Sequence, residues 1–350
     1  MKTFLITGGA GFIGSNFVHH IYNKYPDAKI LVLDLLTYAG SVDNLPTDFQ
    51  AANASGRIEF WYGDVRNASL VENLMRRTDV VVHFAAETHV TRSIFDNYHF
   101  FETDVLGTQV ISNAVLRCAD RIERFVHIST SEVYGTAETP LMNEDHPLKP
   151  LSPYASAKAG ADRLVYSYWA TYQLPAVIVR PFNNFGPRQH LEKAVPRFIT
   201  SCLLDEPLRL HGQGVAQRDW IFVEDTCEAI DRIVHAPRDR VVGEVINIGT
   251  DVSLSVADVA HQIVSQMGKP ESLITYVRTA RPGVQAHRGC LEGGAAAWLE
   301  AGDDVRAGAR ENDRVVPHAP QRVGEATLDA RDPHRHGIGK AGASLASSVN

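Results

Sequence analysis

The chain has 350 residues, 44% of them hydrophobic, and a formal net charge of −7. That length and apolar content suffice for one large α/β domain or two interleaved ones, and the negative charge argues against non-specific nucleic-acid binding. Four scattered cysteines (Cys118, Cys202, Cys227, Cys290) form no Cys-x-x-Cys pair, and His19, His20, His89, His99 and His127 show no ligand spacing. With no apolar run of about eighteen residues and no leader-like start, the expectation is a soluble, cytoplasmic protein with reduced thiols, no metal and no membrane span.

The first apolar run, Thr3–Thr7, leads into Gly8-Gly9-Ala10-Gly11-Phe12-Ile13-Gly14 and then an amphipathic helix reaching about Tyr25. Gly8 permits a tight turn, Gly11 lets a pyrophosphate approach the backbone, and Gly14 lets the helix pack on the strand. Gly8, Gly11, Phe12, Ile13 and Gly14 are therefore candidate cofactor-binding positions. A second strand over 29–33 ends in Asp34, twenty residues after Gly14. A carboxylate there accepts from an adenosine ribose and repels a 2′-phosphate, which favours NAD over NADP. Further strands are expected over 57–63, 79–86 and 124–130, with helices near 68–76 and 98–118 between them. That alternation implies a Rossmann-type, doubly wound parallel sheet. Asp64 and Val65 close the third strand; Asp64 reads equally as a partner for the adenine amino group and as a strand-end cap. Ala85 and Ala86 are small where a dinucleotide must pass.

Next come Ser129-Thr130-Ser131-Glu132 and, on a helix over 152–172, Tyr154-Ala155-Ser156-Ala157-Lys158. A Tyr and a Lys four apart share one helix face. The ammonium can depress the phenol's pKa and make a usable base near neutral pH. The Thr130 hydroxyl can bond the same substrate oxygen, so the trio can take a proton from an alcohol while a nicotinamide takes the hydride. Alone, Thr130 and Ser131 would read as a strand end and Glu132 as a turn cap; the upstream glycine turn favours chemistry.

After an apolar strand over 176–179, Asn183 and Asn184 offer amide donors near an expected pyrophosphate. Lys193 precedes a helix over 197–204 whose first amides can face phosphate. Arg218 is either a bidentate phosphate ligand or a surface partner of Asp219. A strand over 245–249 brings Asn247 near the nucleotide, and 255–267 is an amphipathic helix.

Together these motifs resemble the extended short-chain dehydrogenases/reductases, and most closely the nucleotide-sugar 4,6-dehydratases of the dTDP-glucose type. The matching pieces run in order to about Gly283 and include Leu36-Thr37-Tyr38-Ala39-Gly40, His83 to Val90, Arg180 to Pro187 and Arg218-Asp219-Trp220. The resemblance implies oxidation of the hexose C4 alcohol by bound NAD⁺, loss of water across C5 and C6, and return of the hydride to C6. It makes Tyr154 the base at O4, Lys158 its electrostatic partner and ribose ligand, Thr130 the orienting hydroxyl and Glu132 the C5 base. Ser131 stands where the dTDP-glucose enzymes place an acidic Asp, and Thr91 where they usually have Asp. The Thr-Ser-Glu-Val-Tyr-Gly string also occurs in UDP-glucuronate decarboxylases and in some UDP-N-acetylhexosamine dehydratases. Two related readings therefore stay open: a decarboxylase, with Arg188 facing the sugar carboxylate, and a 4-epimerase. A third, of another class, is a catalytically dead NAD-binding protein with a damaged C-terminus.

The resemblance also implies a homodimer packed through the helices over 98–118 and 152–172. It suggests a dinucleotide domain over 1–179 with a returning strand near 244–249, and a smaller interleaved α/β substrate lobe over 180–283. The 67 residues from Val284 onward have Trp298 as their only aromatic and Ile338 as their only Ile. That composition reads as a disordered extension or as a single-nucleotide frameshift near Gly283. Read one nucleotide downstream, Ala297 to Ala301 permits Leu-Gly-Trp-Lys-Pro and Glu311 to Val316 permits Lys-Thr-Ile-Glu-Trp-Tyr, both resembling the closing segment of these dehydratases.

Overall fold

The computed structural model describes residues 2–138, 142–250 and 252–277; the atypical tail over 284–350 and the last residues of the expected lobe lie outside them. The described strands are, in chain order, β1 (Thr3–Thr7), β2 (Lys29–Asp34), β3 (Ile58–Tyr62), β4 (Val80–His83), β5 (Arg124–Ile128), β6 (Ala176–Pro181), β7 (Asn183–Phe185), β8 (Leu208–His211), β9 (Gln217–Phe222), β10 (Val245–Ile248), β11 (Ser253–Ser255) and β12 (Ile274–Val277). Seven of them form one sheet in the order β10-β6-β5-β4-β1-β2-β3, with every neighbouring pair parallel. The expected doubly wound sheet is present. Its order reverses between β1 and β4, so the carboxyl ends of those strands diverge and leave a crevice.

Both faces of this sheet are covered, which is why its strands are apolar throughout. Period-two alternation sends Phe4, Ile6, Val32 and Val82 to one face, against Phe17 and Ile21 of the Phe12–Lys24 helix and Ile230 and Val234 of the Val223–His235 helix. Leu5, Leu31, Val81 and Phe125 point to the other face, against the Ala68–Met75, Thr108–Arg117 and Pro153–Tyr172 helices. After β6 the chain leaves the sheet to begin a smaller α/β unit, returns for β10, and then completes that unit with β11, the Val256–Gln266 helix and β12. In that unit β9 lies between β7, parallel to it, and β11, antiparallel, while β8 pairs with β12. The helices Ala194–Leu203 and Val256–Gln266 pack there around Phe198, Leu210, Phe222 and Ile263.

Several expected bounds move for local reasons. β4 stops at His83 because Ala85 N–H donates to Thr7 Oγ1 (3.3 Å) rather than to a strand, which frees Phe84 to Ala86 to line the crevice. The helix expected over 98–118 is divided: Phe101–Gly107 winds as a π-helix before Thr108–Arg117 resumes α geometry. The helix expected from 197 begins at Ala194, since Pro196 in a first turn loses no needed N–H. The Val223–His235 helix was not expected, although Val223, Cys227, Ile230 and Val234 carry helical spacing and are all buried.

Candidate active site

The turn after β1 is built without room for side chains. Gly8 has φ +66°, and a Cβ there would lie 2.6 Å from Ala85 N; one on Gly14 would lie 2.2 Å from the Gly8 carbonyl oxygen. The β1 turn, the exit of β4 and the first helical turn thus sit backbone against backbone. Gly11 caps the helix with no side-chain acceptor, so the first-turn amides at Phe12 and Ile13 are left for a ligand. Asp34 is anchored beside them: its Oδ2 accepts from Ala10 N–H (2.9 Å) and its Oδ1 from Leu36 N–H (2.8 Å). Burial pushes this carboxyl up and the backbone donors pull it back. A fixed acceptor beside a glycine cradle fits the adenosine ribose and pyrophosphate of a dinucleotide.

Every expected cofactor position (Gly8, Gly11, Phe12, Ile13, Gly14, Asp34, Asp64, Val65, Ala85, Ala86, Tyr154 and Lys158) lines one cavity of about 430 Å³. Asp64 is heavily engaged. Its Oδ2 accepts from Arg66 Nη2 (2.6 Å) and Nε (2.9 Å), and its Oδ1 from the Arg66 amide (2.8 Å). Burial raises this carboxyl, but Arg66 more than offsets it and holds it below the usual range.

The far wall carries Thr130, Glu132, Tyr154 and Lys158. The Pro153–Tyr172 helix starts where it does because Ser152 Oγ accepts from Ala155 N–H (3.1 Å) and Pro153 takes the first position. Tyr154 and Lys158 therefore sit in its opening turns, facing the end of β5. Thr130 Oγ1 accepts from Glu132 N–H (3.2 Å), which fixes the short turn Ser131–Tyr134. Lys158 is 4% exposed and its Nζ donates to the Ile128 carbonyl (2.7 Å).

One expectation is corrected here. The phenol of Tyr154 is pushed above its ordinary value, first by burial and then by Asp104 and Glu132, with a Thr130 hydrogen bond pulling the other way. The Lys158 ammonium is directed at the Ile128 carbonyl; burial lowers its own pKa while Asp104 and Asp162 oppose that shift.

The substrate-side expectations divide. Asn183, Asn184 and Lys193 line the cavity, whereas Ser131, Arg218 and Asn247 do not. Asn184 is committed internally: its Nδ2 donates to the Phe182 carbonyl and its Oδ1 accepts from Thr226 Oγ1. Asn247 is buried, with Oδ1 accepting from Tyr134 Oη (2.7 Å) and Nδ2 donating to the Met142 carbonyl (3.2 Å). Its side chain holds β10 to the loop before the Tyr–Lys helix and is not presented to the cavity. Arg218 Nη1 donates to the Gln217 carbonyl (2.8 Å) on β9.

Two groups of neighbours were missed. Asp104, 1% exposed on the π-helical turn, accepts from Glu87 N–H through Oδ1 (2.8 Å), while its Oδ2 is buried without a hydrogen-bond partner. Burial pushes this carboxyl up to about 7 against the pull of Lys158. An acid in register with the buried positions Phe100, Thr108 and Ile111 was the available signal. At the cavity mouth stand Tyr38, Thr88, His190 and Glu192, gathered from segments about 150 residues apart.

Comparison with known proteins agrees with this geometry. The family profile described as GDP-mannose 4,6 dehydratase matches residues 5–289. The low-salt glycan biosynthesis protein Agl12 of Haloferax volcanii is 46% identical over 273 residues, covering 78% of this chain and 85% of that one. A dTDP-glucose 4,6-dehydratase of Actinoplanes sp. is 40% identical over 278 residues, 78% of this chain and 84% of that one. Among solved structures, DesIV, a dTDP-glucose 4,6-dehydratase from Streptomyces venezuelae with NAD and TYD bound, superposes with a TM-score of 0.82 at 35% identity, over 95% of this chain and 98% of that one.

Proposed function

This chain belongs to the GDP-mannose 4,6 dehydratase family, and we infer that it is an NAD-dependent dehydratase converting a nucleotide-activated hexose to its 4-keto-6-deoxy form. The observation that carries the reading is a single cavity with a glycine cradle and Asp34 on one wall and Thr130, Glu132, Tyr154 and Lys158 on the other. Bound NAD⁺ supplies the hydride acceptor for C4 and the hydride later returned to C6. In this proposal the Tyr154 phenolate takes the C4 hydroxyl proton while the Thr130 hydroxyl holds that oxygen in line. Lys158, anchored on the Ile128 carbonyl, holds the nicotinamide ribose. The C4 ketone acidifies the C5 proton, which Glu132 removes. Ser131 lies off the cavity lining, so Glu132 itself, having gained that proton, delivers it to the departing C6 hydroxyl. As hydride is returned to C6 a proton is restored to C5, balancing the one Tyr154 took from O4, so the net change is loss of one water.

dTDP-glucose is the substrate we favour, because both the relative in Actinoplanes and DesIV are dTDP-glucose 4,6-dehydratases. Incubating the protein and NAD⁺ with dTDP-glucose, UDP-glucose, UDP-N-acetylglucosamine and UDP-glucuronate, and weighing the products by mass spectrometry, tests this. A dTDP-hexose lighter by one water is expected. Loss of carbon dioxide from UDP-glucuronate alone would replace the dehydratase with the decarboxylase.

We place NAD on residues 1–179 with β10, and the sugar nucleotide on 180–283. We also propose a cytoplasmic homodimer. No helix among the described residues is long and apolar enough to cross a membrane, and Cys118, Cys202 and Cys227 are free thiols. Phe95, Tyr98, Phe101 and Leu106, with Tyr166 and Tyr172 on the neighbouring helix, expose large apolar surfaces of the kind that partners cover. Sedimentation velocity should return twice the chain mass; a monomer at micromolar concentration would end that proposal. For the sequence beyond Gly283 we retain the frameshift reading, which resequencing that stretch of the gene decides.

A further inference from the structure

His83 takes no part in the proposed chemistry, yet it ends β4 just before the cavity-lining segment and is 1% exposed. Both of its ring nitrogens are engaged. Nδ1 lies 2.6 Å from Thr7 Oγ1, and Nε2 lies 3.1 Å from Thr108 Oγ1. Thr7 is the last residue of β1, immediately before the glycine turn, and Thr108 follows the π-helical turn Phe101–Gly107. Both threonines are buried. The imidazole therefore bridges the cofactor cradle and the turn beside the reactive helix.

The outer bonds of this bridge fix where its protons sit. Thr108 Oγ1 donates to the Asp104 carbonyl (2.5 Å), a group that can only accept. With its single proton committed there, Thr108 must accept from the imidazole, so His83 Nε2 carries a hydrogen. At the other end Thr7 Oγ1 accepts from Ala85 N–H (3.3 Å) and turns its own proton to His83 Nδ1. A second ring proton is opposed by burial and by the Lys158 ammonium, which lower the His83 pKa to about 3. One neutral tautomer satisfies every partner. Hydrogen bonds run in a single direction from Ala85 N–H through Thr7, His83 and Thr108 to the Asp104 carbonyl.

Both ends of this run touch the site. Ala85 lines the cavity together with Gly8, whose backbone is pressed against it. Asp104 Oδ1 holds the amide of Glu87, which lines the same cavity. Phe100, one turn before Asp104, sets its ring edge-on against Tyr154. His127, beside His83 on β5 with ring centroids 5.5 Å apart, offers a contrast. It is equally buried, but neither of its ring nitrogens has a hydrogen-bond partner among the described residues.

We propose that His83 is a positioning residue for hydride transfer: locked as the Nε2–H tautomer, it holds the cofactor cradle and the Tyr154–Lys158 helix at one spacing. The inference rests on the dehydratase reading above and adds to it a residue that lies off the cavity lining. Hydride transfer is sensitive to such spacing, because a misplacement of about 1 Å can cost about a hundredfold in rate.

Two measurements test this. In NMR spectra of the ¹⁵N-histidine-labelled protein, with His83 assigned by its loss in His83→Gln, the ring should show a protonated Nε2 and a bare Nδ1. Neither resonance should move between about pH 6 and pH 8. A protonated Nδ1, or a ring that titrates, would overturn the assignment. In stopped-flow with NAD⁺ and dTDP-glucose, His83→Leu breaks both bonds and should slow the first hydride transfer by about ten- to hundredfold. NAD⁺ affinity and KM should change little. His83→Gln can still donate to Thr108 and should recover most of the rate. Thr108→Val should slow transfer as His83→Leu does, and the two together no further, since both cut one bridge. It also carries the comparison if His83→Leu does not fold. His127→Leu should leave the rate near its original value. Equal losses in His83→Leu and His127→Leu, or losses that multiply in the double variant, would make His83 a packing residue only. If the unsubstituted protein reduces no NAD⁺ with any nucleotide hexose, the dehydratase reading fails and the positioning role fails with it, while the ring spectrum still decides the tautomer.

Discussion

Tyr154→Phe is expected to cut turnover of the nucleotide hexose by about 10²–10⁴-fold, the usual contribution of a positioned base, while NAD⁺ affinity changes little. In the proposed mechanism the phenol oxygen receives the C4 hydroxyl proton beside the Thr130 hydroxyl, and Phe keeps the ring that packs edge-on against Phe100 at 6.3 Å. The fold should be untouched. Burial, Asp104 and Glu132 raise this phenol above its ordinary value, and the positive charge of an oxidised nicotinamide would work against that shift. Ionised phenol is the reactive form, so kcat should rise with pH along a limb that Tyr154→Phe abolishes. Stopped-flow measurement of the first hydride transfer, with NAD⁺ titrated separately by fluorescence, checks both parts. A variant keeping more than about a tenth of the rate would remove Tyr154 from the role of base.

The cofactor side of this site was legible in the chain because its information is local. Gly11 and Gly14 close on the Gly8 carbonyl within a few residues, and Asp34 ends the adjacent strand, paired in parallel with β1. Tyr154 and Lys158 were equally readable, since helical spacing alone puts them on one face. What spacing could not give was the direction of the Lys158 ammonium, which depends on the Ile128 carbonyl 30 positions earlier. The same limit explains Asn247. Whether its amide faces the cavity or a neighbouring loop is settled by Tyr134 and Met142, more than 100 residues away. The π-helical turn was hidden for another reason: Phe101–Gly107 has ordinary helix-forming composition, and only the packing of Asp104 beneath Glu87 marks it. Such turns recur at functional sites, and this one places a buried carboxyl behind the Tyr–Lys pair.

Asp162→Leu is expected to destabilise the protein by about 3–5 kcal/mol, the usual effect of removing one partner from a buried ion pair. Arg180 is 1% exposed, and its Nε and Nη2 meet the two Asp162 oxygens at 2.8 and 3.0 Å. Its remaining Nη1 donates to Tyr134 Oη (2.8 Å), which in turn donates to Asn247. This chain of bonds joins the Tyr154–Lys158 helix to β6 and, through Asn247, to β10. Removing Asp162 leaves a desolvated guanidinium beside an apolar side chain, so the loss exceeds what the pair contributes. Asp162→Leu with Arg180→Met should therefore recover much of the stability, since an apolar pair of similar volume replaces two desolvated charges. Although burial alone would raise the Asp162 carboxyl, Arg180 holds it below the usual value. The sign follows: a carboxyl depressed on folding contributes stability above its unfolded pKa of about 3.9, and that contribution fades as the pH falls through the folded value. Urea unfolding from pH 7 down to pH 3 should show the gap between the original protein and the double variant shrinking in acid. If the single variant lost less than about 1 kcal/mol, or the double variant were no better than the single, the pair would not be the tie that positions the reactive helix.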